Sequence, residues 1–233
     1  MSNWELLGWY AGNICSYVWE MIPCMGVALL VFLCLRPARR QRLLRRNLVS
    51  RLEREGALLL FVMFGAGLAA LTLFPAHFWA SFLAWLTNPV GCGNDFDWRS
   101  FYPSWDEVTA ETDYRNLFTP FQEILRGLRG GPWVFFMLLG NIGMFLPLGF
   151  FTALLWRKPS WWKSTLTGLL SSCTIEFVQF FIGRSTDIDD VILNTTGALL
   201  GYVLFWFFRL LCPGFAARFQ CYERKEVLDG LHD

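Results

Sequence analysis

The stretch IEFVQFFIGRSTDIDDVILNTTG, residues 175–197, decides the fold. It carries Glu176, Gln179, Arg184, Asp187, Asp189, Asp190 and Asn194, yet the chain on both sides is almost purely apolar. Residues 161–182 and 189–211 each approach the ~20 residues that cross a bilayer as helix. The stretch therefore reads as the end of one membrane helix, a tight turn at Gly183 and Arg184, and the start of the next.

Working outward, three more apolar runs appear at 13–35, 57–74 and 133–155. The chain is 55% hydrophobic with 12 Trp, many of them at the ends of these runs, where an interfacial aromatic belt would place them. The expected architecture is an all-α, polytopic membrane helix bundle of about five transmembrane helices. Pro23 suggests a kink in the first of them. The opening residues 1–12 hold no Lys or Arg, so no ordinary signal peptide is read there and the first helix is expected to be retained.

Charge orients the bundle. Of the 20 Lys and Arg, 15 fall in 36–56, 156–163 and 209–233. By the bias of basic residues towards the cytoplasm, the N-terminus lies outside and the C-terminus in the cytoplasm. Eight Arg between residues 36 and 54 make a solvated, helical connector that can also meet anionic headgroups. The segment 75–132 mixes seven acids and four Arg with aromatic residues, and short interfacial helices are expected in this extracytoplasmic loop. Three parts result: 1–56, the first helix and Arg-rich connector; 57–211, the membrane domain; and 212–233, a cytoplasmic tail. Cys15 and Cys92 fall on one side of this topology, and the remaining cysteines read mainly as small hydrophobes.

The polar residues within the spans carry the functional reading. At 1.5 Å per residue, Glu176 lies ~9 Å and Asn141 ~12 Å below the outer boundary. Glu176 and Gln179 share a helix face. Asp190, Asn194, Gly197 and Gly201 form another face, small and polar, of the kind that lets helices approach closely in lipid. Charged groups at such depth are costly, usually face the bundle interior and often mark function. Structural readings stand beside this one. The acids can serve the helix start with Ser185 or Thr186 as cap. Gln179 and Asn194 can be interhelical hydrogen-bond donors. Glu176 and Arg184 can form an ion pair. Ser171, Ser172 and Thr174 read as packing residues, and His77 as interfacial.

In order along the chain, LTLFP (71–75), NLFTPF (116–121), NIGMFLPLGF (141–150) and TIEFVQFFIGRSTDIDDVILNTTGALLGY (174–202) resemble the VanZ-like family. The resemblance implies a multi-pass protein of the bacterial cytoplasmic membrane. It also implies an association with resistance to teicoplanin, a glycopeptide antibiotic with a fatty acyl tail. Carried over by position, the family's polar signature falls on Asn116, Pro120, Asn141, Pro147, Glu176, Gln179, Arg184, Asp187, Asp190 and Asn194. NLFTPF departs from the more usual NLIPF by one residue before Pro120.

Two functions remain open. One is an outer-leaflet site that binds or modifies an amphiphilic cell-envelope ligand, such as a lipoglycopeptide or lipid-linked cell-wall component. In that site Asn116, Asn141, Gln179 and Asn194 would contact the ligand. The other is an intramembrane hydrolase or transferase acting on a lipid-linked cell-wall or glycolipid substrate. Its catalytic set would be Glu176 as general acid or base, Asp187 and Asp190 as second carboxylates or metal ligands, and Arg184 on a phosphate or carboxylate. Membrane lipids are expected partners. No cofactor, assigned metal set or nucleic acid is expected. A transporter ranks last, because no internal repeat is present.

Overall fold

The computed structural model describes residues 3–75, 78–87, 97–111, 119–129, 132–184 and 186–223. The expectations for His77, Cys92, Asn116 and Ser185 lie outside the described residues. The architecture is all-α. In chain order the long helices are α1 (Asn3–Cys34), α2 (Arg36–Arg45) and α3 (Leu52–Leu73). Short helices α4 (Phe78–Thr87), α5 (Trp105–Glu111) and α6 (Gln122–Arg129) follow, with a 3-10 turn at Trp98–Phe101. Then come α7 (Pro132–Leu155), α8 (Trp161–Phe181), α9 (Ile188–Leu211) and α10 (Pro213–Ala217). Two-residue strands, β1 (Leu48–Val49) and β2 (Tyr222–Glu223), pair antiparallel and tie the connector to the tail. Pro23 and Pro147 both lie inside continuous helices.

Among the described residues, four segments are long and apolar enough to cross a membrane: Cys15–Cys34, Leu52–Leu73, Leu138–Leu155 and Ile188–Leu211. The fifth expected span, α8, has 21 residues, enough for ~32 Å of helix, but its polar residues set it apart from those four. These residues face inward. Ser164, Gly168, Ser172, Glu176 and Gln179 are buried, while Leu170, Phe177 and Phe181 are exposed. That is the reverse of a water-soluble helix, whose apolar stripe faces its core.

The heart of the bundle is α7, α8 and α9. Gly197 of α9 backs onto the Ile142 carbonyl and Gly201 onto the Leu146 carbonyl, so a Cβ at either glycine would collide with α7 backbone. Four residues along one helix match four along the other, which makes α7 and α9 parallel. Gly168 meets Ala198 and Ser172 meets Asn194, so α8 runs antiparallel to α9. Leu68 of α3 packs with Phe145 and Leu148 of α7. Ala57, nearer the start of α3, joins Ala153, Leu154 and Phe205. The start of α3 and the end of α7 therefore share the Arg-rich end of the bundle. The close of α3, the close of α8 and the start of α9 share the other end.

Candidate functional site

The polar stretch folds as helix end, turn and helix start. Gly183 makes the turn at φ +70°, a left-handed conformation that glycine adopts without the Cβ penalty. A side chain there would also strike Pro103. Asp187 is the N-cap of α9, its carboxylate accepting from the Asp189 N–H at 2.9 Å. The cap is thus Asp187, rather than Thr186 acting with Asp189 or Asp190, and the Asp189 carboxylate points elsewhere.

Asp189 is fully buried. Its two carboxylate oxygens accept from the backbone N–H groups of Phe121 and, at 3.1 Å, Ile124. Those are the orphan donors at the start of α6, so Asp189 caps a helix more than 60 residues upstream. Phe121 takes a positive φ of 69° at that junction.

Arg184 works at the opposite kind of terminus. Its Nη1 donates to the carbonyls of Leu71 (3.0 Å), Thr72 (3.2 Å) and Phe74 (3.1 Å), at the C-terminal end of α3. A guanidinium is well suited to this, since the last carbonyls of a helix lack partners and carry partial negative charge. Gln179 donates to the Thr72 carbonyl from its own helix at 2.9 Å. The expected Glu176–Arg184 ion pair does not form among the described residues, because the guanidinium is engaged by α3.

Glu176, 9% exposed, accepts from the Asp187 N–H at 3.1 Å. Among the described residues that N–H is the one donor on its carboxylate, and no cation lies within ion-pair distance. Asn141 of α7 donates its amide to the Asp190 carboxylate. Asn194 donates to the Ser172 hydroxyl at 2.9 Å, and its own carbonyl oxygen is buried without a partner among the described residues.

Asn141, Glu176, Gln179, Arg184, Asp187 and Asp190 thus gather at one end of the bundle. Asn194 lies one turn of α9 further in. No group of three metal-ligating side chains occurs among the described residues. A cavity of about 770 Å³ lies at the Arg-rich end and touches none of these residues. Two participants left no mark in the sequence, and a third, Ser172, was read there only as a packing residue. The Thr72 carbonyl and the α6 amides are backbone groups that every residue carries. Ser172 was identifiable as the residue one α8 turn before Glu176, on the same buried face.

Chemically, the end is rich in carboxylate and amide oxygen around Glu176. Such a surface accepts hydrogen bonds from ammonium and hydroxyl groups. A family model described as VanZ/LLP1 matches residues 97–209, from the segment before α5 to near the end of α9. No curated protein and no solved structure matches the chain.

Proposed function

Because this chain belongs to the VanZ-like family, we propose that it lowers susceptibility to teicoplanin-type lipoglycopeptides by binding an amphiphilic cell-envelope ligand at the polar end of its bundle. In this reading α8 is a fifth crossing, the protein sits in the bacterial cytoplasmic membrane, and the polar end opens to the outer leaflet. The observation that carries the proposal is Glu176. It is a buried carboxylate at the seam of α8 and α9, met by one backbone donor among the described residues, with Asp187 and Asp190 just beyond it. Structural needs alone do not call for an acid at that position, since α9 is capped by Asp187 and α3 by Arg184.

Binding is favoured over turnover because the other catalytic candidates are engaged in holding helices. Arg184 is held on the α3 carbonyls, Asp187 on the α9 cap, and Asp190 on Asn141. A hydrolase or transferase would have to work from Glu176 with groups already committed to the fold.

The test is the antibiotic susceptibility of a teicoplanin-sensitive bacterium expressing Glu176→Gln or Asp190→Asn. Both changes are isosteric, and either residue can keep the hydrogen bond made here. Each is expected to abolish protection, at least a fourfold fall in inhibitory concentration, with unchanged accumulation in the membrane. Full protection by both variants overturns the proposal.

A further inference from the structure

The cavity at the Arg-rich end is built where the α2–β1 link, the first turns of α3, the last turns of α7 and the tail meet. Arg46, Arg54 and Arg157 stand on its wall, and among the described residues no acid does. Of the nearby acids, Glu55 lies 3.3 Å from Arg39 and 4.0 Å from Arg54, and Glu53 lies 3.9 Å from Arg218. The rest of the wall is mainly apolar, with Phe61 and Phe151 stacked at 5.9 Å between ring centroids. Its volume falls in the range of small-molecule sites.

Two buried polar atoms on this wall have no partner among the described residues, the Arg54 Nε and the Thr152 hydroxyl. Thr152 is only 6% exposed. Thr72, Thr167, Thr174 and Thr196 return their hydroxyl to the carbonyl four residues back, whereas the buried hydroxyls of Thr152 and Thr195 make no such bond. Buried polar groups without partners are uncommon and call for an explanation.

Three arginines, a buried hydroxyl without a partner among the described residues and an aromatic wall describe a ligand with an anionic head and a hydrocarbon body. Arginine's planar fork suits the oxygens of a phosphate. Trp156, also on the wall, is exposed. The outer surface of the bundle is apolar along α3 and α9, where Leu60, Leu204 and Phe207 are exposed. We propose that this cavity binds one anionic phospholipid from the adjacent leaflet, its phosphate held by Arg46, Arg54 and Arg157 and its acyl chains laid on Phe61 and Phe151. The site is separate from the Glu176 cluster and does not depend on the function proposed for it. It differs from a diffuse attraction of the connector to anionic membrane, because only the arginines on the wall contribute.

The experiment uses the full chain, delipidated in detergent, with native mass spectrometry to count retained lipid and thermal unfolding to read stabilisation. Phosphatidylglycerol is expected to bind at one per chain and raise the unfolding midpoint. Phosphatidylcholine and inorganic phosphate are expected to do neither. Arg46→Ala and Thr152→Val should each weaken phosphatidylglycerol binding, the former at least tenfold. Arg40→Ala with Arg42→Ala, which removes two exposed connector charges, should leave it unchanged. Equal losses in the wall and connector variants would mean diffuse attraction and overturn the proposal. A midpoint shift with phosphate alone would mean a soluble-anion site and overturn the lipid assignment. No retained phosphatidylglycerol would overturn both.

Discussion

The two ends of the bundle handle polar groups in opposite ways. At the Glu176 end, side chains are consumed by helix termini: Asp187 caps α9, Asp189 caps α6, and Arg184 closes α3. At the Arg-rich end, Arg39 binds Glu55 and the Phe32 carbonyl, but Arg54 and Thr152 keep buried atoms unpartnered on a cavity wall. The first end is closed by its own polar chemistry, with Glu176 as the exception that suggests a ligand. The second is held by a strand pair and by cations stacked on rings, such as Arg51 over Tyr222, and leaves room between them. The contrast teaches that ionisable residues in lipid need not be a site merely because they are clustered. What matters is which bonds remain to be made.

Breaking the closed end should have the largest effect. Asp189→Ala removes two charge-assisted hydrogen bonds and strands two amides at the start of α6, a loss of about 3 kcal/mol. Thermal unfolding in detergent would read it, with proteolysis appearing first near residues 119–129. Unchanged stability would show that the end is not closed by Asp189. Arg184→Ala should cost less, about 1–2 kcal/mol, because water can reach the α3 carbonyls of an exposed partner. Arg184→Lys should recover only part of it, since the shorter lysine carries its ammonium less far than the Nη1 that reaches three carbonyls. The smallest effect belongs to the open end. Without added lipid, Thr152→Val should shift stability by no more than about 0.5 kcal/mol, or raise it, because the hydroxyl it removes makes no bond to lose. A loss above 1 kcal/mol would erase the difference between the two ends.

Much of the layout was legible in the residues. Apolar runs marked α1, α3, α7, α8 and α9, although boundaries moved: α1 begins at Asn3 and α3 at Leu52, because the flanking polar residues also favour helix. The spacing of Asp190, Asn194, Gly197 and Gly201 named the face of α9 that meets its neighbours, since glycine in lipid permits the closest approach of two backbones. The partner of Arg184 was not legible. Four carboxylates lay nearby in sequence, but its bonds go to main-chain carbonyls, which leave no trace in residue identity. The same holds for Asp189, whose partners are amides in a different part of the chain. The Arg-rich cavity was hidden for another reason. It is assembled from α3, α7, the connector and the tail, and no single segment records it.

The parallel packing of α7 and α9 has a consequence for synthesis. Asn141 enters the membrane with α7, but its partner Asp190 lies 49 residues later. At about 5–20 residues per second, roughly 2–10 s pass before the ribosome has made the acid that receives this amide. Throughout that interval the Asn141 amide lacks its native acceptor, and α8 must be made before α9 can pack parallel to α7. The closing contact between the two helices is therefore a late event in the life of the nascent chain, and a ribosome stalled before residue 190 would leave the bundle without it.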